Sequence, residues 1–262
     1  MKRLSAFSAV AACAALALAV VAPVGAADAL PIGDCADPQA ATDLSQCDFS
    51  RQKLAGKKLR GARLAGARME STDFRQADLR DADLRGSNAK WANFTAANLS
   101  AADLRDADLF HAIFDDANLS NSKLQRANLF GANLINAQAP GADFSGAYLK
   151  DILMEGIDLS GGSIRNCNAL RGVFLDARLV GTDLSGADLT GAAMDSADLS
   201  NSTLKGTRLT GATLRHARFK GANLDSADFS NADLWDANFE RATNLDDSVR
   251  AALAEPFVVR KR

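Results

Sequence analysis

Thr182-Asp183-Leu184-Ser185-Gly186-Ala187-Asp188-Leu189-Thr190-Gly191 holds two copies of a five-residue unit, and the unit extends far on both sides. From Leu44 to Phe239 every fifth residue is Leu, Phe, Met or Ile, except at Ala89, Ala139 and Ala169. These are forty consecutive units without an insertion or deletion. Two places before each centre stands Ala, Ser, Thr, Gly or Cys, as in Ala77-Asp78-Leu79 and Ala107-Asp108-Leu109. The large residues in that slot are Gln52, Lys57, Ile152 and Ile157. An internal repeat of this length decides the architecture before local propensity does.

An apolar interval of five fits neither the three-and-four spacing of a helix nor the alternation of a strand. The chain must turn once in every unit. A square coil meets that condition: each unit gives one short extended side and one corner, and four units bring the chain back above its start. The centre and the small residue point inward, and the other three positions face solvent. Residues twenty apart then stack, which sets Phe74, Phe94 and Phe114 above one another. Each buried Leu or Phe contributes about 1.5–3 kcal/mol.

Units such as Thr182-Asp183-Leu184-Ser185-Gly186 and Ala222-Asn223-Leu224-Asp225-Ser226 resemble those of the pentapeptide-repeat family. The resemblance implies an all-β fold, a right-handed quadrilateral parallel β-helix. Forty units give about ten coils and a rod of roughly 48 Å at ~4.8 Å per coil. Ile152 and Ile157 overfill two successive small slots, Gly162, Cys167 and Gly172 follow in that slot, and Ala169 is an undersized centre in the same region. A local bulge or bend is therefore expected between Ile152 and Gly172.

The ends differ from the repeat. Lys2 and Arg3 precede an apolar run from Leu4 to Val21, followed by small residues at Ala26, Ala27 and Ala29. This is the layout of a secretory signal peptide, and it implies a periplasmic or secreted protein. Val10-Ala11-Ala12-Cys13 resembles a lipid-attachment box but stands too early in the run. In an oxidising compartment Cys35 and Cys47 are expected to pair, and a loop of this size contributes about 3 kcal/mol. Cys167, in a small slot, reads as an inert core thiol. Beyond Thr243-Asn244 the register breaks, and Leu245, Val249 and Leu253 fall at helical spacing with Asp246 or Asp247 as cap and Pro256 as terminator. The expected division is signal peptide 1–29, N-terminal cap 30–43, repeat 44–242, and a short C-terminal capping helix with its tail over 243–262.

Function must lie on the outward positions. The residue before each centre is often Asp or Asn, a choice that suits tight turns. Some members of the family present such acidic ladders as an imitation of duplex DNA and shield DNA gyrase. Here Arg63, Arg68, Lys123, Arg178, Arg208 and Arg218 interrupt the ladder, which with the export signal argues against gyrase as partner. Net charge of −2 indicates no nucleic-acid partner. Between Arg51 and Lys90 stand eleven Lys or Arg against five Asp or Glu. Arg60, Arg80, Arg85 and Arg105 are the candidate contacts there for an anionic surface polymer or membrane headgroups.

Apolar replacements are the stronger signal. Ile113, Leu153 and Val173 stand where Asp or Asn is usual, and Ile135 and Leu175 follow centres on the same side. The adjoining side adds Phe110, Phe130, Leu170 and Tyr148. Clustered exposed apolar residues commonly mark contacts, so these nine are the expected surface for another envelope protein or a second copy of the chain. His111 and His216 fall far apart, Asp115 and Asp116 lie in an acidic background, and Gly161-Gly162 opens no phosphate loop. No enzyme, cofactor or metal is expected, because no insertion builds the groove that β-helix enzymes of carbohydrates use.

Overall fold

The computed structural model describes residues 29–247 and 249–250. The leader expected over residues 1–29, apart from Ala29, and the chain beyond Arg250, with Leu253 and Pro256, lie outside the described residues.

The unit around Leu184 shows how five residues close one side. Asp183 N donates to Gly162 O at 3.0 Å in the coil before, while Leu184 N and Gly186 N donate to Thr203 O and Lys205 O at 2.8 Å in the coil after. Ala187 N closes the corner by donating to Leu184 O at 3.0 Å. The remaining N–H, on Ser185, donates to Asp183 Oδ1 at 2.9 Å. Every backbone donor of the unit is thus engaged, as a regular fold requires. The same Asx turn recurs at Asp73, Asp188, Asp198 and Asn223, which explains the abundance of Asp and Asn before the centres.

Parallel bridges join each of these residues to the one twenty places on, from Asp43 to Thr243. Four units therefore make one turn, with sides passing through Asp103, Asp108, Ile113 and Asn118, here numbered side 1 to side 4. From Arg51 to Arg241 each corner between sides carries a residue with positive φ, Gly186 at 68° for example. From Leu59 to Phe229 the centres and the small residues are buried. Phe74, Phe94 and Phe114 stack at 5.1 and 4.8 Å with nearly parallel rings.

The bulge expected between Ile152 and Gly172 does not exist. Bridges Asn133 to Leu153, Leu153 to Val173 and Asp143 to Ser163 pass through without a break. The reason is compensation between coils rather than along the chain. Ile152 and Gly172 share one slot twenty residues apart, and a Cβ on Gly172 would lie 2.7 Å from Phe174 Cε2 and 3.3 Å from Ile152 Cγ2. The missing side chain of one coil makes room for the large one of its neighbour.

The described residues at each end pack on the terminal coils. Ile32 bridges to Asp43, with Gly33 N donating to Asp43 O at 2.9 Å and Asp43 N to Pro31 O at 2.7 Å. The disulfide Cys35–Cys47, Cα to Cα 5.5 Å, ties this segment to the first coil. At the other end Asp247, Val249 and Arg250 are helical, Arg250 N donates to Asp246 O at 3.1 Å, and Val249 is buried on the core with Leu245 beside it. Cys167 is a free thiol whose Sγ donates to Phe144 O at 2.8 Å. Burial raises its pKa to about 12.

Two outcomes follow from this packing. Gly172→Ala should destabilise the fold by about 1–3 kcal/mol through overpacking, read as a lower melting temperature. Alkylation without reductant should leave Cys35 and Cys47 unmodified and reach Cys167 only after denaturation, as peptide mass mapping would report.

Candidate functional site

The nine apolar residues come together as the register requires. Ile113, Leu153 and Val173 lie on side 3, which from Asn93 to Thr213 also carries Asn133 and Ala193 and no charge at its bridging positions. Phe110, Phe130 and Leu170 line its corner with side 2, Ile135 and Leu175 its corner with side 4, and Tyr148 stands on side 2. Tyr148 is 39% exposed and the other eight are half-buried against one another. This partial burial comes from stacking between coils, since the backbone is undistorted.

The Asx turn makes these replacements costly. With Ile113, Leu153 and Val173 in place, the N–H groups of Asp115, Glu155 and Leu175 have no side-chain acceptor two residues back. An Asx bond of this kind contributes about 0.5–1.5 kcal/mol. At Ile135 the bond is supplied from the neighbouring coil, Ile135 N donating to Asp115 Oδ1 at 3.1 Å. Burial raises the pKa of the Asp115 carboxyl, with Asp116 adding to the shift and the Ile135 amide opposing it.

Aromatic rings build the corner between sides 2 and 3. Phe110 and Phe130 stack at 5.4 Å, and Tyr148 continues the stack at 6.0 Å from Phe130. Trp91 and His111 extend it: their rings stack at 4.4 Å, and His111 meets Phe110 and Phe130 edge-on at 4.3 and 5.7 Å. His111 Nδ1 is 3.1 Å from Gly131 O, and a Cβ on Gly131 would lie 2.4 Å from the imidazole. Trp91 and His111 both occupy corner positions with positive φ, 59° and 52°. Bulky residues rarely adopt that conformation. Trp91 was not among the expected site residues, although Trp91 and His111 are twenty residues apart and the register stacks them.

The four arginines proposed as anion contacts are all engaged. Arg80, Arg85 and Arg105 each grip the Asp two residues back through two bonds of 2.6–2.8 Å, and Arg60 reaches Asp81 at 3.0 Å. The clamps of Arg75, Arg80 and Arg85 hold Asp73, Asp78 and Asp83 below the usual carboxylate range. An anion would have to displace these carboxylates. The arginines that interrupt the acidic ladder are paired as well, Arg63 with Asp43, Arg68 with Asp48, Arg178 with Asp158, Arg208 with Asp188 and Arg218 with Asp198, each twenty residues back. They break and neutralise the acidic column. Among the described residues no group of three His, Cys, Asp or Glu could hold a metal ion.

This is a β-solenoid. The chain belongs to the pentapeptide-repeat family: its models match as "Pentapeptide repeat region" over residues 57–134 and as "Pentapeptide repeats (8 copies)" over 153–191, 174–206 and 207–243. HetL, a pentapeptide-repeat protein involved in heterocyst differentiation regulation in the cyanobacterium Nostoc sp. strain PCC 7120, is 29% identical, with 74% of this chain and 89% of that one covered and a TM-score of 0.50. The plasmid-mediated fluoroquinolone resistance protein QnrB1, in a trypsin-treated form, is 16% identical over 77% of this chain and 97% of its own, with a TM-score of 0.58. These neighbours imply the right-handed winding. Comparison with curated proteins finds no match.

The Asp115 carboxyl gives a test of side 3. Because the folded state favours its protonated form, its contribution is fully present below the ordinary value of about 3.9 and is lost as pH rises through the folded value. Asp115→Asn should therefore raise the melting temperature at pH 7, by a margin that shrinks toward zero below about pH 4.

Proposed function

We propose that the protein is a non-enzymatic, exported interaction module that binds an envelope protein, or a second copy of itself, through side 3 and its aromatic corner. The observation that carries this reading is the loss of charge along side 3 from Asn93 to Thr213, six coil steps or about 29 Å. On the same surface three Asx turns give way to Ile113, Leu153 and Val173, at a cost in stability that the fold does not require. A row of apolar groups beside stacked rings, framed by charged corners, matches the anatomy of a protein contact, with its apolar centre and polar rim. Export rests on the composition of residues 1–29, with cleavage after Ala26, Ala27 or Ala29.

Phe110→Asp with Phe130→Asp puts two carboxylates into the centre of this surface. The pair should abolish self-association measured by light scattering, or capture of the partner from an envelope extract, while the circular dichroism spectrum is retained. Unchanged association and capture would remove side 3 from the interaction. Amino-terminal sequencing of the expressed protein tests export separately: the chain should begin at Ala27, Asp28 or Leu30.

A further inference from the structure

The corner between sides 3 and 4 carries charge that the fold leaves unanswered. From Asp115 to Ser196 it holds five carboxylates, on Asp115, Asp116, Glu155, Asp176 and Asp195, and no lysine or arginine. None of the five forms an ion pair among the described residues. Asp115 and Asp195 accept the backbone N–H groups of Ile135 and Arg215, at 3.1 and 3.0 Å. Other corners answer such a carboxylate one coil away, Asp106 by Arg126 at 2.6 Å and Asp151 by Arg171 at 2.7 Å. The next arginines on this corner, Arg75 and Arg215, are held by Asp73 and Asp233, both at 2.7 Å. Like charges gathered within four coil steps, about 19 Å, repel one another and weaken the compact state.

The same corner is also apolar. Ile135 and Leu175 stand between the carboxylates, and Ile113, Leu153 and Val173 lie beside them on side 3. An occupant that is apolar in one part and basic in the next would satisfy both features. The chain contains such a segment: Phe257-Val258-Val259-Arg260-Lys261-Arg262 sets three apolar residues directly before three basic ones. Residues 251–262 follow Arg250, twelve in all, a reach of about 40 Å when extended. Leu175 and Asp176 lie fewer than four coils before Thr243, the end of the bridged column, or about 16 Å along the rod. Trp235, 51% exposed, stands on this corner between the end of the rod and Asp195, an apolar step on the same path.

We infer that residues 257–262 dock on the chain's own side 3 at this corner, the apolar half on Val173 and Leu175 and the basic half among Glu155, Asp176 and Asp195. Charge, apolar order and reach together select this occupant. The inference rests on the reading of side 3 as a contact surface and adds a regulation to it: a partner must displace the segment to reach the apolar column. Pairing between exposed charges is screened by salt, so the segment is released as ionic strength rises.

Carbodiimide cross-linking of the full chain, which condenses an amine with a carboxylate to an amide with loss of water, tests this when read by peptide mass mapping. Lys57 and Asp37, 3.0 Å apart, report that the reaction has run. Lys261 is expected to link to Glu155, Asp176 or Asp195 of the same chain, which an equal mixture of ordinary and nitrogen-15-labelled protein distinguishes from a link between chains. Arg260→Glu with Arg262→Glu should lower the yield at least ten-fold. Links of Lys261 to other carboxylates only, links between chains only, no link while Lys57 and Asp37 join, or a yield unchanged by the double substitution would each overturn the inference. Lys261 reads the segment alone, so these outcomes leave capture by side 3 standing, whereas unchanged capture in Phe110→Asp with Phe130→Asp removes the contact surface itself.

Discussion

The hydrogen-bonded register of twenty residues is the constraint on which everything else rests. Each unit sends backbone bonds to the coils before and after it, so no unit can gain or lose a residue without displacing all its neighbours. The corner meets the requirement with a left-handed residue, and Asx turns capture the donor that the ladder leaves over. Core composition follows from the same geometry. A large centre and a small companion fit inside a square of four short sides, and little else does.

Periodicity carried the coil, the inward residues and the phenylalanine stack, because each depends on spacing alone. One other expectation failed because of the register. Ile152 was weighed against its neighbours along the chain, whereas its packing partner is Gly172, twenty residues away. The arginines of the basic early coils likewise find their partners by register, in the aspartates two places before them or one coil away. Sequence distance and spatial distance differ most in a solenoid, where the nearest neighbour lies a full turn off. Trp91 escaped notice on the same account: it looks isolated at its own position and gains its meaning only on His111.

With a core this uniform, what distinguishes one coil from another lies in residues that the fold does not need. Side 3 and the corner of stacked rings depart from the turn chemistry found elsewhere on the surface, and they depart in the same few coils. The salt bridges follow the opposite pattern. They neutralise charge in place, within a unit or between adjacent coils, and leave the sides of the rod electrostatically quiet. Attraction over a distance is then weak along the sides.

The buried thiol has a consequence for how the chain reaches this state. A disulfide is exchanged by thiolate attack, and burial raises the pKa of the Cys167 thiol to about 12, which keeps it protonated at pH 7. Once coiled, Cys167 is chemically silent toward Cys35–Cys47. The period of vulnerability is therefore confined to the unwound chain. The coil that encloses Cys167 keeps the bond at the amino-terminal end from being rearranged.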